Sequence, residues 1–269
     1  MPLFVEWMRR KPGTSNEEFT AYWRDRHAPI VRDRPTIKAA LRAEKYTHYR
    51  TRPGDRVRSE MAAARGFDVA GYDGICIPES QTLSMDDYAA ALGQQDGATI
   101  QAWVTLLDDE VNFMDMTTSI PCFATEATIL CSPDVQPSAH VMICYRAADE
   151  VSTSDFLDFR RTIFAKTVEN LRDDLGLNRY RQIVPIDTPL NAQFCTVRGC
   201  IDQPYDAMDV FSFASRADLE RSWRTARPAW DELAQAECHM VAPQSSALVV
   251  TDSVVIFDDR SGDCASSAS

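Results

Sequence analysis

Residues 10–31 read RKPGTSNEEFTAYWRDRHAPIV, and this stretch decides how the rest of the chain is parsed. Pro12-Gly13-Thr14 has turn composition. Ser15 followed three residues later by Glu18 is a capping-box pattern, in which each side chain satisfies a backbone amide at the start of a helix. Phe19, Tyr22, Trp23 and Arg26 then fall at helical spacing, so an amphipathic helix is expected to open at Ser15. Ahead of the turn, Leu3 to Met8 reads as a strand. His27 is the one side chain in the stretch that exchanges protons near neutral pH. It stands just before Pro29, where the helix is expected to end or to re-form. Two readings of His27 follow: a general acid/base, or a helix-end histidine whose charge suits the C-terminal end of the helix dipole.

Working outward, strands are expected at Lys45 to Arg50, Tyr72 to Ile77 and Cys122 to Cys131. A polar connection runs over 51–71, and a second helix from about Met85 to Leu107. The order is β-α-β-β-α-β. It then recurs: strand His140 to Arg146, helix Ser154 to Leu175, strand Arg179 to Ile186, connection 187–204, strand Ala207 to Ala214, helix Arg216 to Ala236, strand Ala247 to Phe257. Residues of the two runs pair at nearly constant offset: Phe19 with Phe156, Arg24 with Arg161, Ala28 with Ala165, Val31 with Val168, Tyr46 with Tyr180, and Tyr72-Asp73 with Tyr205-Asp206. The expected organisation is a unit over 1–131, a linker of composition SPDVQPS, a second unit over 138–258 and a flexible tail over 259–269. In this register His27 falls on Phe164, so HAPIV in the first copy is FAKTV in the second.

The 269 residues are 45% hydrophobic and 25% charged, enough for one large core or two small ones. With no apolar run of about 18 residues and no apolar core in MPLFVEWMRRKPG, neither a membrane span nor a signal peptide is expected, and the cytoplasm is the expected compartment. Eight cysteines lie scattered without a CxxC pair and read as free, mostly buried thiols. The four histidines show no metal-ligand spacing, so no metal is expected. No glycine-rich nucleotide cradle occurs either. A net charge of −12 argues against nucleic acid as a partner. The charge is uneven, since residues 9–65 carry 15 Lys and Arg against 7 Asp and Glu. That basic segment is either a solvated face or a funnel for an anionic small molecule.

The stretch 10–31, with its turn, capped helix and RHAP in order, resembles the signature of EthD-domain proteins. Tyr72-Asp73-Gly74 followed by Met85-Asp86-Asp87-Tyr88 is similar to that family's third strand and second helix. The resemblance covers 2–131 well and 138–258 weakly. It implies an α+β fold in which two ferredoxin-like βαββαβ units join through their sheets into a dimeric α/β barrel, here fused into a single-chain pseudo-dimer. It further implies a pocket between sheet and helices, no cofactor, and, as in tailoring members of fungal polyketide pathways, decarboxylation, dehydration or cyclisation. Absence of the histidine from the second half departs from the family's two equivalent pockets.

His27 is the expected acid/base, with Asp73 either orienting it or holding its own strand end. On the second strand Tyr46, His48 and Arg50 share one face. That face suits an enol or carboxylate, or else meets the other half of the barrel. Tyr22 and Trp23 are either core packing or a platform for substrate. The connection 51–71, with Arg52, Arg56, Arg58 and Arg65, is long enough to be a functional or mobile loop. Three functions remain open: a cofactor-independent lyase or cyclase acting on an anionic, polyketide-like or aromatic molecule; a cofactor-free oxygenase or pericyclase on the same scaffold; and a non-catalytic carrier. A further homo-oligomer is compatible with all three.

Overall fold

A computed structural model describes residues 2–69, 71–80, 96–202 and 204–260. The expected helix start at Met85 to Tyr88, and all but the first two residues of the expected tail, lie outside them. The strands are β1 (Pro2–Met8), β2 (Lys45–Thr51), β3 (Asp68–Val69), β4 (Gly74–Glu79), β5 (Ile120–Cys131), β6 (Ala139–Tyr145), β7 (Arg179–Pro185), β8 (Ala207–Phe213) and β9 (Ala247–Asp258). Eight of them form a closed antiparallel barrel in the order β2-β4-β1-β5-β7-β8-β6-β9, with β9 returning to β2 and the two-residue β3 lying parallel on β9. The first four and last four members follow the same order, each placing its first strand between its third and fourth. Two seams join them: β2 on β9 from Lys45↔Asp258 to Thr51↔Thr251, and β5 on β7 from Ala124↔Pro185 to Cys131↔Arg179.

Alternation along the strands assigns one face to the barrel interior and the other to the helices. Leu3, Val5, Trp7, Ile75 and Ile77 meet Met142, Cys144, Met208, Val210 and Val249 inside. There the hydroxyls of Tyr72 and Tyr205 lie 3.1 Å apart. The interior is charged as well: Arg181 bonds Glu126 at 2.8 Å and the Tyr49 hydroxyl at 2.8 Å.

Outside the first half lie α1 (Asn16–Tyr22), α2 (Ala28–Asp33), α3 (Pro35–Leu41) and α5 (Gly97–Glu110). Outside the second lie α6 (Thr153–Phe159), α7 (Ala165–Asn170), α8 (Arg172–Leu175), α10 (Arg216–Thr225) and α11 (Arg227–Glu237). The capping box forms as expected, Glu18 N–H donating to Ser15 Oγ at 3.1 Å and Ser15 N–H to Glu18 Oε2 at 2.7 Å. The helix does not stop at His27. A π-helical turn, Trp23–His27, joins α1 to α2, with the Ala28 amide donating to the Trp23 carbonyl, and Pro29 sits in the first turn of α2, where its missing N–H is tolerated. The same turn recurs at Arg160–Phe164.

Both connections also differ from expectation. Each is largely helical: α4 (Arg56–Arg65) in the first and α9 (Pro189–Arg198) in the second, both ending on a left-handed glycine, Gly66 and Gly199. Each crosses a seam. Met61 and Ala62 of α4 pack with Trp230 and Phe211 of the second half, while Leu190 and Phe194 of α9 pack on Phe4 and Phe123 of the first. The seven described cysteines are free; Cys76, Cys122, Cys144 and Cys195 are buried, whereas Cys131 and Cys238 are exposed. Among the described residues no helix is long and apolar enough to cross a membrane.

The close approach of helix and sheet at the π turn generates a prediction. The Trp23 ring stacks on His48 at 3.8 Å, and a Cβ added at Gly74 would meet its Cζ3 at 2.5 Å. Gly74→Ala should therefore cost roughly 1–3 kcal/mol by overpacking. Urea unfolding of the two proteins measures this, and equal midpoints would show that Trp23 moves freely.

Candidate active site

Between the outer face of the first-half sheet and its helices lies a chamber lined by Phe4, Glu6, His27, Tyr46, Glu110 and Arg198, among others. Its free volume is about 20 Å³, room for about one water. The π turn brings both Trp23 and His27 into the interior, at 0% and 5% exposure. His27 Nδ1 lies 2.8 Å from Asp109 Oδ2, and the Tyr22 hydroxyl donates to Asp109 Oδ1 at 2.9 Å. Phe113 flanks both rings, stacked on Tyr22 at 5.2 Å and tilted against His27 at 5.2 Å. With Asp109 accepting from Nδ1–H, the ring is held in the tautomer whose Nε2 carries the free lone pair.

The other polar members of the chamber are a cation and two carboxylates. Arg198, at the C-terminal end of the crossing helix α9, bonds Glu6 through Nη1 and Glu110 through Nη2, the latter at 2.6 Å. All three are buried, so the groups meet at close range rather than in solvent. Burial, with the neighbouring Asp109 charge added, pushes the Glu110 carboxyl up to about 8. Arg198 pulls the other way, but its single charge is shared with Glu6, and burial lowers its own pKa to about 10. One cation facing two desolvated carboxylates favours retention of a proton on Glu110.

The sequence-derived candidates separate in the structure. His27 and Tyr46 line the chamber, Tyr46 buried at 2% exposure with its pKa raised by burial, while Tyr22 is tied to His27 through Asp109. Trp23 and His48 do not present themselves to a ligand there: they stack on one another, and neither ring nitrogen of His48 has a hydrogen-bond partner. Burial holds His48 well below the usual imidazole value, so it packs as a neutral ring. Arg50 lies beyond, half-buried, its guanidinium 6.0 Å from the Trp23 ring centroid. Asp73 is not brought to His27. It accepts from the Arg10 amide at 2.9 Å, from Arg10 Nη1 at 2.7 Å and from Asn16 at 3.2 Å, tying strand end to helix start. Asp206 likewise accepts from the Ala147 amide at 2.9 Å, which marks the arrangement as architectural.

Sequence reasoning missed Asp109, Glu110, Glu6 and Arg198. Signals for three of them were present. Asp108-Asp109-Glu110 puts three acids at a helix C-terminus, against the helix dipole, and Glu6 interrupts an otherwise apolar strand. Arg198 had no local signal, because its role depends on the seam its helix crosses.

In the second half the equivalent positions carry other side chains. Phe164 occupies the place of His27, and Arg160, in the place of Trp23, is ion-paired to Asp209 and sits 4.1 Å from the Tyr145 ring centroid. Asp209 also accepts from the Tyr180 hydroxyl at 2.8 Å. Glu237 accepts from Tyr145 at 2.8 Å and from Arg65, at the end of the other crossing helix, at 3.0 Å.

A buried histidine–carboxylate pair thus lies beside an acid whose pKa is raised by burial, between sheet and helices. Residues 11–117 match the EthD domain family. No curated protein matches the chain. Among solved structures, one from Lactobacillus acidophilus NCFM named "putative monooxygenase" is similar at 12% identity over 95% of this chain and 94% of that one, with a TM-score of 0.45. A second with that name, from Fusobacterium nucleatum subsp. nucleatum ATCC 25586, is similar at 9% identity over 95% and 92%, with a TM-score of 0.44.

The raised Glu110 pKa has a signed consequence. The folded state binds this proton more tightly than the unfolded chain, so the associated stability is fully present below the ordinary value of 4.5 and is lost as pH rises through about 8. Across that window wild-type protein should lose stability relative to Glu110→Gln, whose side chain does not titrate. Parallel curves from urea unfolding at stepped pH would place the proton elsewhere.

Proposed function

We propose that the protein is a cofactor-independent enzyme of small-molecule metabolism, a lyase or cyclase acting on an anionic, polyketide-like or aromatic substrate by acid/base catalysis at His27. The observation that carries this reading is the 2.8 Å contact between His27 Nδ1 and Asp109. It fixes ring and tautomer, leaves Nε2 to take a proton from a carbon acid or hydroxyl, and stabilises the imidazolium that results. Glu110 is the second proton carrier in the same chamber, held protonated by burial and poised to donate to a developing oxyanion or leaving hydroxyl. Tyr46 and Tyr22 flank these groups with phenol edges suited to an aromatic ring. Asp73, Trp23 and His48 have no part in this scheme.

In the same reading the chain is two ferredoxin-like βαββαβ units, 1–131 and 138–258, fused into one pseudo-dimer. Their common strand order, common π turn and common crossing helix support the fusion. Only the first unit carries catalysis, because the second has Phe164 in the place of His27.

The test is turnover of aromatic β-keto acids and related polyketide-like acids, followed by absorbance and carbon dioxide release. His27→Ala should lower kcat by roughly 10²- to 10⁴-fold with the fold intact, and Asp109→Asn should also lower it by releasing the tautomer. A stable, fully active His27→Ala protein would sink the proposal. Activity abolished by removing oxygen would point to cofactor-free oxygenation instead, and ligand binding without any turnover to a carrier. Phe164→His should gain no second activity, since its surroundings differ from those of His27, with Arg160, paired to Asp209, standing in the place of Trp23; doubled turnover per chain would contradict that.

A further inference from the structure

A second cavity lies away from the chamber, where β1, β2 and the loop before β4 end. It measures about 520 Å³ and is walled by Arg9, Arg52, Arg58, Thr51, Gly54 and Tyr72 among others. From Tyr46, in the chamber wall, to Thr51 is five residues along β2, about 17 Å at the usual rise per residue, and the stacked Trp23 and His48 stand between.

The charges around this cleft do not cancel. Arg10 is committed to Asp73 at 2.7 Å, and Arg52 to Asp252. The remaining carboxylate of the wall, Asp115, accepts from the amide and hydroxyl of Thr117 at 3.1 and 2.8 Å. Arg9 and Arg58 have no carboxylate partner among the described residues, and the Nε of each is buried without an acceptor. Arg9 is held in place by its guanidinium lying 4.9 Å from the centroid of the Tyr72 ring, and Arg58 by its position in the first turn of α4, whose N-cap is Asp55. Each side chain is part-exposed, but a buried Nε donor without an acceptor is costly, and two unneutralised cations on one cavity add mutual repulsion. Both costs vanish if an anion with several acceptor oxygens enters.

We propose that this cleft binds a compact dianionic group, a phosphate monoester or a dicarboxylate, through Arg9 and Arg58. Two planar forks facing one cavity match the several acceptor oxygens of such a group, and charge-assisted hydrogen bonds to it are the strong kind. The site is independent of the chemistry at His27, since none of its residues lines the chamber.

Isothermal titration calorimetry at low salt and pH 8, with inorganic phosphate, malonate and acetate as probes, tests this on the full chain. At least one of the two dianions should bind saturably and at least about tenfold more tightly than the monoanion acetate, with affinity falling as salt is added. Arg9→Gln/Arg58→Gln should weaken the dianion about tenfold or more, whereas Arg32→Gln, outside the cleft and paired to Asp33, should change it little. Preference for phosphate over malonate assigns the ester, and the reverse the dicarboxylate. Absence of saturable binding by both dianions, acetate binding as tightly, or undiminished binding in the double variant would overturn the proposal. Because Arg9 also packs on Tyr72, thermal unfolding is followed for every variant. Arg58→Gln alone then carries the test if the double variant is unfolded.

Discussion

Closure of the barrel is the constraint on which everything else in this molecule depends. A four-stranded sheet alone would leave two edges with unpaired amides and carbonyls, and one apolar face uncovered. Here the edges of the two sheets pair with each other, β2 with β9 and β5 with β7, so the eight-strand ring has no free edge. The interior is shared in the same way. Tyr49, Ile77 and Cys122 of the first half complete one cluster with Met142, Ile183 and Val210 of the second. Neither half owns that core, so neither is expected to hold its sheet without the other.

Closure also fixes where function can lie. With the interior filled by side chains, usable space is confined to the layer between sheet and helices and to the barrel ends. The crossing helices then link the halves chemically as well as mechanically. α9 carries Arg198 to Glu6 and Glu110, and α4 carries Arg65 to Glu237. The two chambers differ in charge balance. In the second, Arg65 and Arg160 face Glu237 and Asp209, two cations to two carboxylates. In the first, Arg198 alone faces Glu6 and Glu110. A balanced buried network is satisfied without a proton, and an unbalanced one retains it.

The capping box at Ser15 and Glu18, the eight barrel strands and their repeated order were legible in sequence, because each depends on local composition or on residue-by-residue repetition. His27 was legible as the lone neutral-pH titrating group in its stretch. Its partner was not, since Asp109 lies 82 residues away and meets it only when α5 packs beside the π turn. His48 looked like a ligand group because strand alternation puts it on the face of Tyr46. Only the packing of Trp23 against that face shows it to be stacked. The connections 51–71 and 187–204 read as long loops, the first of them polar, because neither was given a helical pattern. Some of their apolar residues, Met61 and Ala62 in one and Leu190 and Phe194 in the other, are spent on the opposite half.

The π turn shows how scaffold and chemistry separate. It occurs at Trp23–His27 and at Arg160–Phe164, with the proline after it in one case and a lysine in the other, so Pro29 is not its cause. In both halves the turn buries its first and fifth residues: Trp23 and His27, Arg160 and Phe164. The backbone therefore offers the same two inward positions twice, whatever side chains fill them. Where the fifth is phenylalanine and the first an arginine paired to Asp209, the space is consumed by packing and ion pairing. Where the fifth is histidine and the first a tryptophan stacked on His48, the imidazole is left facing Asp109, beside two carboxylates with one cation between them. The difference between a structural lobe and a candidate catalytic one lies in those two positions and in the carboxylates opposite them.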